Sequence, residues 1–452
     1  MKKIYQTGLL ILIICLASCH KDNKITPNVS LSPAVNTFSS DQIRNYFSLM
    51  CTISKNTKGF FPTQAARAYG YVGIAAYESV VNGIPGALSL AGQVNGLTSM
   101  PKTNSSSQYN WAISSNAAIS QMMRYMFDLN LSSANRAIID STEAANLATL
   151  SQSVNTDVIN RSIKYGKDVS AAIYQASVTD GGHQSYLDPF QLPYTLPSVD
   201  YCWEPTSSTA PHPLSPKWGS NRPFIVANVT GVIPVTPTVF STDPGSTFFS
   251  MAKDVYNQVK NNTADQVEIV KYWSDDPFNT CTPAGHTFNI MVQLLKENHA
   301  TLEKASVAFA KLSIAENDAF ISCWKGKYQY VLIRPVSYIK KYIDPNFATV
   351  IGTPPFPAYT GGHSYESGAG SMIFSSMFTD GSGKYDFTDY SQLQYGFAPR
   401  HFSNFNDMAL ECANSRFYGG IHYNADNLEG LRLGRMVGDN VNKLIIWPSN
   451  IK

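Results

Sequence analysis

Apolar residues recur at helical spacing along most of this chain, and no segment alternates apolar and polar residues for long enough to form a large sheet. In the segment 62–83, Pro62 stands where a helix begins and Gly83 where it ends, and small and aromatic residues recur three or four apart between them. Similar patterns predict helices over 117–127, 132–151, 157–177, 248–260, 264–272, 287–299 and 302–325. We therefore predict an all-α fold.

The first residues have the form of an export signal. Lys2 and Lys3 precede an apolar run over 9–16, which is too short to span a membrane as a stable helix. The sequence LASC, which ends at Cys19, resembles a bacterial lipobox. That resemblance implies cleavage before Cys19 and attachment of a lipid to its thiol.

The organisation of the chain follows from this start. We predict a lipoprotein signal peptide at 1–18, a polar, proline-containing tether at 19–39, and a single helical domain at 40–452. The protein is expected to be exported and held by its lipid on the periplasmic or cell-surface face of the bacterial outer membrane.

Charge and cysteine content exclude two classes of function. Of 34 basic residues, Lys2 and Lys3 leave with the signal peptide, so 32 basic residues face 32 acidic ones and no basic field attracts nucleic acid. Besides Cys15 and Cys19 five cysteines remain, enough for at most two disulfides. No CxxC pair occurs, so a zinc cluster is not expected.

A long segment interrupts the helical pattern. Residues 180–243 are rich in proline, glycine, serine and tyrosine. Loops of this length inside a compact domain are commonly functional. We predict a surface excursion packed by its own aromatic residues.

Two cations open the part of the chain that carries chemistry. Lys327 and Arg334 are seven residues apart, close to two helical turns, and Pro335 follows. On one continuous helix both would project from the same face, and a buried pair of this kind needs an anionic partner. The alternative is a solvated helix face.

The next block is Gly361-Gly362-His363, which precedes a helical pattern. The free N–H groups at a helix N-terminus favour an anion, and His363 in the first turn would face it. The alternative is an ordinary turn.

The last block joins Arg416, His422 and Asp426. Gly419 and Gly420 permit a helix break after Arg416. Beyond it, His422 and Asp426 are four residues apart, so the carboxylate is placed to orient the imidazole and raise its basicity. Taken alone, His422 is as readily explained as a structural histidine.

In this order the three blocks resemble the signature Kx6RP…PSGH…SRx5HxxxD of the superfamily of type 2 phosphatidic acid phosphatases and vanadium-dependent haloperoxidases. The similar residues span 327–426. The resemblance implies packed helical bundles of the haloperoxidase type with long irregular loops. Trp324 and Phe356 stand at the offsets of an aromatic pair that borders the halide site in bacterial iodoperoxidases.

The resemblance also implies a ligand and roles for the site residues. Vanadate, or phosphate in the same place, would be held by Lys327, Arg334, Gly361, Gly362 and Arg416. His422 would bind vanadium, His363 would act as acid and base, and Lys327 would polarise peroxide. A cradle of cations and backbone donors suits a tetrahedral oxyanion in any case.

Three functions remain open at this level. The leading one is a haloperoxidase that oxidises iodide or bromide with hydrogen peroxide. The second is a phosphatase that cleaves a phosphate ester through a phosphohistidine at His422. The third is a lipoprotein that binds an oxyanion without catalysis, because Gly361 replaces the signature serine and Thr360 the signature proline. The missing serine hydroxyl is worth roughly 1.5–3 kcal/mol if it bonds a charged group.

A second stretch imitates the signature. Pro283-Ala284-Gly285-His286 is similar to PSGH but precedes Lys327, against the order of the motif. His286 is expected either near the pocket or as a structural histidine.

Overall fold

The computed structural model describes residues 31–449 and residue 451. Its regular structure there is helical apart from one two-stranded sheet, which confirms the predicted all-α class. The helices are α1 (Asp41–Lys55), α2 (Pro62–Glu78), α3 (Trp111–Phe127), α4 (Ser133–Leu150), α5 (Thr156–Ser177), α6 (Ala227–Thr230), α7 (Thr247–Lys260), α8 (Ala264–Tyr272), α9 (Thr282–Glu297), α10 (Leu302–Tyr330), α11 (Pro335–Tyr342), α12 (Gly362–Phe378), α13 (Phe405–Tyr418) and α14 (Asn424–Leu444). Strands β1 (Phe387–Asp389) and β2 (Arg400–Phe402) pair antiparallel.

The predicted helices are present, with several ends displaced. The segment 62–83 is α-helical to Glu78 and closes with a 3-10 turn at Val81–Gly83. α3 begins at Trp111 because the Asn110 side chain caps it. α1 was not predicted, although it buries an apolar face against the core.

The first described residues include the end of the predicted tether. The signal peptide and Cys19 lie outside the described residues. Val35 is fully buried, and the Phe38 carbonyl accepts a hydrogen bond from the Leu302 N–H. The prediction of a tether up to residue 39 is therefore wrong at its end, because residues 35–39 pack against the helical body.

α10 forms the centre of the fold. It packs against α2, α9, α12 and α14, and it is buried along most of its length. A helix without a solvent face must satisfy its polar side chains internally. Asp318 does so by accepting hydrogen bonds from the backbone N–H groups of Phe224 and Ile225 (2.8 Å each). These bonds attach the long loop to the core.

The loop 180–243 does not pack only on itself. Trp218 is fully buried and belongs to the main hydrophobic core. The Leu214 carbonyl accepts from the indole N–H of Trp324 on α10 (3.3 Å). The loop therefore forms one wall of the region described below.

α12 and α14 pack closely because glycine stands at their contact. A side chain at Gly430 would place its Cβ 2.6 Å from the Gly361 carbonyl oxygen, and one at Gly438 would place it 2.6 Å from that of Ala369. Such distances exclude any larger residue. The close approach brings the N-terminus of α12 beside the N-terminus of α14.

Two further findings concern the cysteines and the apolar character of the helices. Cys51 and Cys281 form a disulfide, whereas Cys202, Cys323 and Cys412 are free and buried. One disulfide agrees with the predicted maximum of two. No helix in the described part of the chain has the length and apolar character that crossing a membrane requires.

Candidate active site

Three buried cations interact at the ends of α10, α11 and α13. Lys327 and Arg334 are fully buried, and Arg416 is 2% exposed. Burial lowers the pKa of Lys327 to about 7 and that of Arg334 to about 9. Repulsion from Arg334 adds to the shift of Lys327, and repulsion from Arg416 adds to the shift of Arg334. Burial also lowers the pKa of Arg416. A negative ligand would compensate this charge.

Lys327 and Arg334 do not share a helix. α10 ends at Tyr330, three residues after Lys327, whereas Arg334 directly precedes α11. The prediction that both project from one continuous helix face is therefore wrong. Val331 adopts a φ of +49° and closes the helix, so the turn that follows brings Arg334 back towards Lys327.

Lys327 organises the loop before Gly361. Its ammonium group donates to the carbonyls of Pro357 (2.9 Å), Ala358 (2.9 Å) and Thr360 (2.6 Å). These bonds use its three donors. Lys327 can therefore donate to an anion only by exchanging one of them.

Each arginine keeps a buried nitrogen without a hydrogen-bond partner among the described residues. Arg334 donates through Nε to Phe356 (2.8 Å) and through Nη1 to the Ile421 carbonyl (2.7 Å), whereas Nη2 is unpaired. Arg416 donates through Nη1 to the Trp273 carbonyl (2.5 Å), whereas Nε is unpaired. An unpaired buried donor costs about 1–3 kcal/mol. An oxyanion that accepts from both would remove this cost.

His422 presents an unprotonated nitrogen to the same region. Its Nδ1 lies 3.1 Å from Asp426 Oδ2, and its Nε2 lies 2.9 Å from Arg334 Nη1. Because a guanidinium only donates, Nε2 accepts and the ring proton resides on Nδ1. Burial, followed by repulsion from Arg334, lowers the pKa of His422 well below its usual value. His422 is thus neutral, with a lone pair on Nε2.

The Gly-Gly-His stretch begins α12, as predicted. Gly361 is the N-cap, and its N–H donates to the Asp426 carbonyl (2.9 Å), so it offers no free donor. The N–H groups of Gly362 and His363 precede the first hydrogen bond of the helix, from Tyr365 to Gly361. They are therefore free to bind an anion at the positive end of the helix.

A cavity of about 250 Å³ leads to this region. His363 and Arg416 form part of its polar side, where His363 Nε2 lies 3.9 Å from Asp275 Oδ2. Burial, followed by repulsion from Arg416, lowers the pKa of His363 well below its usual value. The apolar wall is formed by Phe61, Pro62, Leu214, Pro277, Pro283, Pro354, Pro355 and Phe356.

The predicted aromatic pair is only partly at the cavity. Phe356 lines it, whereas Trp324 is 1% exposed and lies behind, with the two ring centroids 5.0 Å apart. The indole N–H of Trp324 bonds to Leu214, which holds the ring there. Trp324 therefore supports Phe356 from behind.

Sequence reasoning missed the segment between α8 and α9. Ser274, Asp275 and Asp276 line the cavity, and the Trp273 carbonyl holds Arg416. The adjacent acids in WSDDP, placed between two predicted helices, were the available signal. His286 lies just behind this segment and does not line the cavity.

Glu366 lies one turn after His363 on α12 and is buried beside Glu316. Its Oε2 accepts from the Thr287 hydroxyl (2.7 Å). Burial raises the pKa of Glu366 to about 8 and that of Glu316 well above its usual value. The folded protein therefore keeps a proton that the unfolded chain releases above about pH 4.3.

The stability of the protein should fall as the pH rises from about 4.3 to 8, because unfolding releases this proton in that window. Glu366→Gln, measured by urea denaturation across the window, should flatten this fall, since each pKa unit corresponds to about 1.4 kcal/mol. Glu268→Gln, at a side chain that is 59% exposed, is the control and should not change the slope. An unchanged slope in the Glu366 variant would contradict the assignment.

A serine side chain at position 361 would require neighbouring atoms to move. A Cβ there would lie 2.8 Å from Asn427 Oδ1 and 3.0 Å from Ser364 Oγ. Gly361→Ser should therefore destabilise the protein by about 1–3 kcal/mol without tighter vanadate binding. Combined with Asn427→Ala, it should bind vanadate about tenfold more tightly or better. Thermal unfolding and vanadate titration test this, and a single variant that binds more tightly at full stability would refute it.

These features define a mostly helical protein with a buried cluster of three cationic side chains beside two histidines. The profile of the VCPO second helical-bundle domain matches residues 307–446, which include every predicted site residue apart from Cys19. The fold is similar to that of a bacterial vanadium-dependent iodoperoxidase, with a TM-score of 0.82 and 29% identity over 91% of this chain and 98% of that one. In its fold, and in its sequence over residues 307–446, the chain is vanadium haloperoxidase-like.

Two more distant structures agree in fold. A holo bacterial vanadium-dependent chloroperoxidase is 13% identical over 87% of this chain and 93% of its own, with a TM-score of 0.64. An apo bacterial vanadium-dependent chloroperoxidase is 12% identical over 91% of this chain and 98% of its own, with a TM-score of 0.67. A comparison with curated protein sequences gave no match.

Proposed function

We propose that the protein is a vanadium-dependent haloperoxidase that oxidises iodide or bromide with hydrogen peroxide. The observation that carries this proposal is the convergence of unpaired N–H groups of Arg334 and Arg416 with the unprotonated Nε2 of His422. The similarity to a bacterial iodoperoxidase supports it.

The residues present fit vanadate. His422 Nε2 would bind the metal, with Asp426 holding the ring through Nδ1. Arg334, Arg416 and the Gly362 N–H would neutralise the oxygens of the oxyanion. Bound vanadate would supply a Lewis-acidic centre that activates peroxide towards a halide.

His363 is suited to proton transfer in this reaction. Its lowered pKa keeps the ring neutral at pH 7, so it can take a proton from entering hydrogen peroxide. The same proton can return to the oxygen that leaves as water. Its Nε2 has no hydrogen-bond partner among the described residues and is available for this purpose.

The cavity suits a weakly hydrated halide. Its wall of prolines and phenylalanines replaces part of the water around an entering anion. Phe356 lies at this wall, and the Lys327 ammonium is 5.0 Å from its ring centroid. A soft anion would therefore meet an apolar surface backed by positive charge.

One observation also favours a phosphatase. A neutral histidine with an unprotonated Nε2 and a carboxylate on Nδ1 can attack phosphorus and form a phosphohistidine once Nε2 gives up its hydrogen bond from Arg334. Phosphate has the shape and charge that the same cradle requires. A vanadate ion would then be an inhibitor.

An assay on purified full-length protein separates the functions. We expect vanadate-dependent oxidation of iodide by hydrogen peroxide and no cleavage of p-nitrophenyl phosphate. Cleavage of the ester that vanadate inhibits would support the phosphatase instead. Vanadate binding without either reaction would refute both and leave an oxyanion-binding protein.

A further inference from the structure

His286 lies outside the anion site but contacts the segment that forms its edge. The ring is 1% exposed in the first turns of α9. Its Nδ1 lies 3.1 Å from Asp275 Oδ1, and its Nε2 lies 3.1 Å from Asp389 Oδ2. Because carboxylates only accept, both contacts are hydrogen bonds when the ring carries two protons.

The surroundings of the ring favour its charged form. Burial opposes it, but Asp275 and Asp389 raise the pKa of His286 to about 10. The Gln392 amide Nε2 donates to the same Asp275 Oδ1 (2.9 Å) that accepts from the ring, and since both nitrogens are donors, the 2.8 Å between Nε2 and Nδ1 is a contact and not a hydrogen bond. His286 thus joins β1 to the segment after α8.

The same segment is held at a second point. The Trp273 ring stacks on the His286 ring, with centroids 4.5 Å apart and an interplanar angle of 24°. The Trp273 carbonyl accepts from Arg416, and Asp275 faces His363 at 3.9 Å. The Trp273 carbonyl, which holds Arg416, and Asp275, which faces His363, are therefore both fixed by the His286 ring.

We propose that His286 is a positioning residue that fixes the segment 273–276 so that Arg416 and His363 are held in place for the reaction. This inference rests on the proposed function. His286 does not line the cavity, and both Asp275 and His286 lie outside the matched range 307–446.

Replacing His286 should change binding and proton transfer together. In His286→Gln, we expect vanadate affinity and kcat for iodide oxidation to fall about 10–100-fold, the usual effect of removing an orienting partner. The positive charge of His286 also lowers the pKa of His363. Loss of that charge should therefore move the limb of the kcat/KM profile that reports His363 to higher pH.

Asp389→Asn is the matched control. It removes the buried partner on the side of the ring away from the site and leaves the contact with Asp275. It should lower stability but change vanadate affinity far less than His286→Gln. If both variants lose affinity equally, the role is merely structural and the proposal is wrong.

Two measurements keep the test decisive. Vanadate affinity is measured by titration and does not require activity, so it tests the role of His286 even if the wild-type protein is inactive. An inactive wild-type protein would count against the proposed function and not against the role of His286. If His286→Gln does not fold, Trp273→Leu removes the stacked ring but keeps the carbonyl and should also weaken vanadate binding. A folded variant of either kind with wild-type affinity and pH profile would overturn the inference.

Discussion

His422→Ala is expected to lower halide oxidation at least about 10³-fold, because it removes the imidazole whose unprotonated Nε2 would bind vanadium. The structure holds Nε2 in the accepting form through Asp426 on one side and Arg334 on the other. The measurement is iodide oxidation with saturating orthovanadate, together with a vanadate titration.

The matched control for this variant is His401→Ala, at a side chain that is 58% exposed on β2. It should keep full activity. The same His422 variant should also lose any phosphate-ester cleavage, so the result tests the site independently of the reaction. Substantial activity in His422→Ala would show that the site is wrongly assigned.

Arg416→Met is expected to weaken vanadate binding by roughly 10- to 100-fold, because it removes a positive charge and the charge-assisted hydrogen bond available from Nε, which is worth about 1.5–3 kcal/mol. The ligand-free variant should nevertheless unfold at or above the wild-type temperature. Arg416 is buried with its Nε unpaired and its charge opposes that of Arg334, so without a bound anion the guanidinium destabilises the fold. An apolar chain of similar length fills the same space.

Thermal unfolding with and without orthovanadate measures both effects. Bound vanadate should raise the Tm of the wild-type protein in proportion to the logarithm of its concentration, and this rise should be lost in Arg416→Met. Arg44→Met, at an arginine on α1 that pairs with Asp41, is the control and should keep the rise. If Arg416→Met unfolds at a much lower temperature than the wild-type protein without vanadate, the expectation that Arg416 destabilises the ligand-free protein is wrong.

Local sequence predicted the helical elements and the chemistry of the site. The repeated helical spacing specified an all-α chain because it decides which face of each element can be buried. The break at Gly419 and Gly420 was predicted correctly, and so was the contact between His422 and Asp426, because both depend on residues close together in the chain.

Contacts between distant segments could not be predicted in this way. The distances between His286 and Asp389 and between His363 and Asp275 depend on how separate helices pack. The raised pKa of Glu366 likewise follows from its burial beside another helix. Residue spacing within one segment cannot predict these distances or this pKa.

The sequence alone determined which groups are available: three cations, two histidines, a helix N-terminus and an orienting carboxylate. Tertiary structure decided how they are used. It turned Arg334 back towards Lys327 after α10 had ended, committed the Gly361 N–H to Asp426, placed Trp324 behind Phe356, and set His286 against the segment that edges the site. The physical reason is that charge compensation and burial are properties of the packed chain, whereas residue spacing describes only one helix at a time.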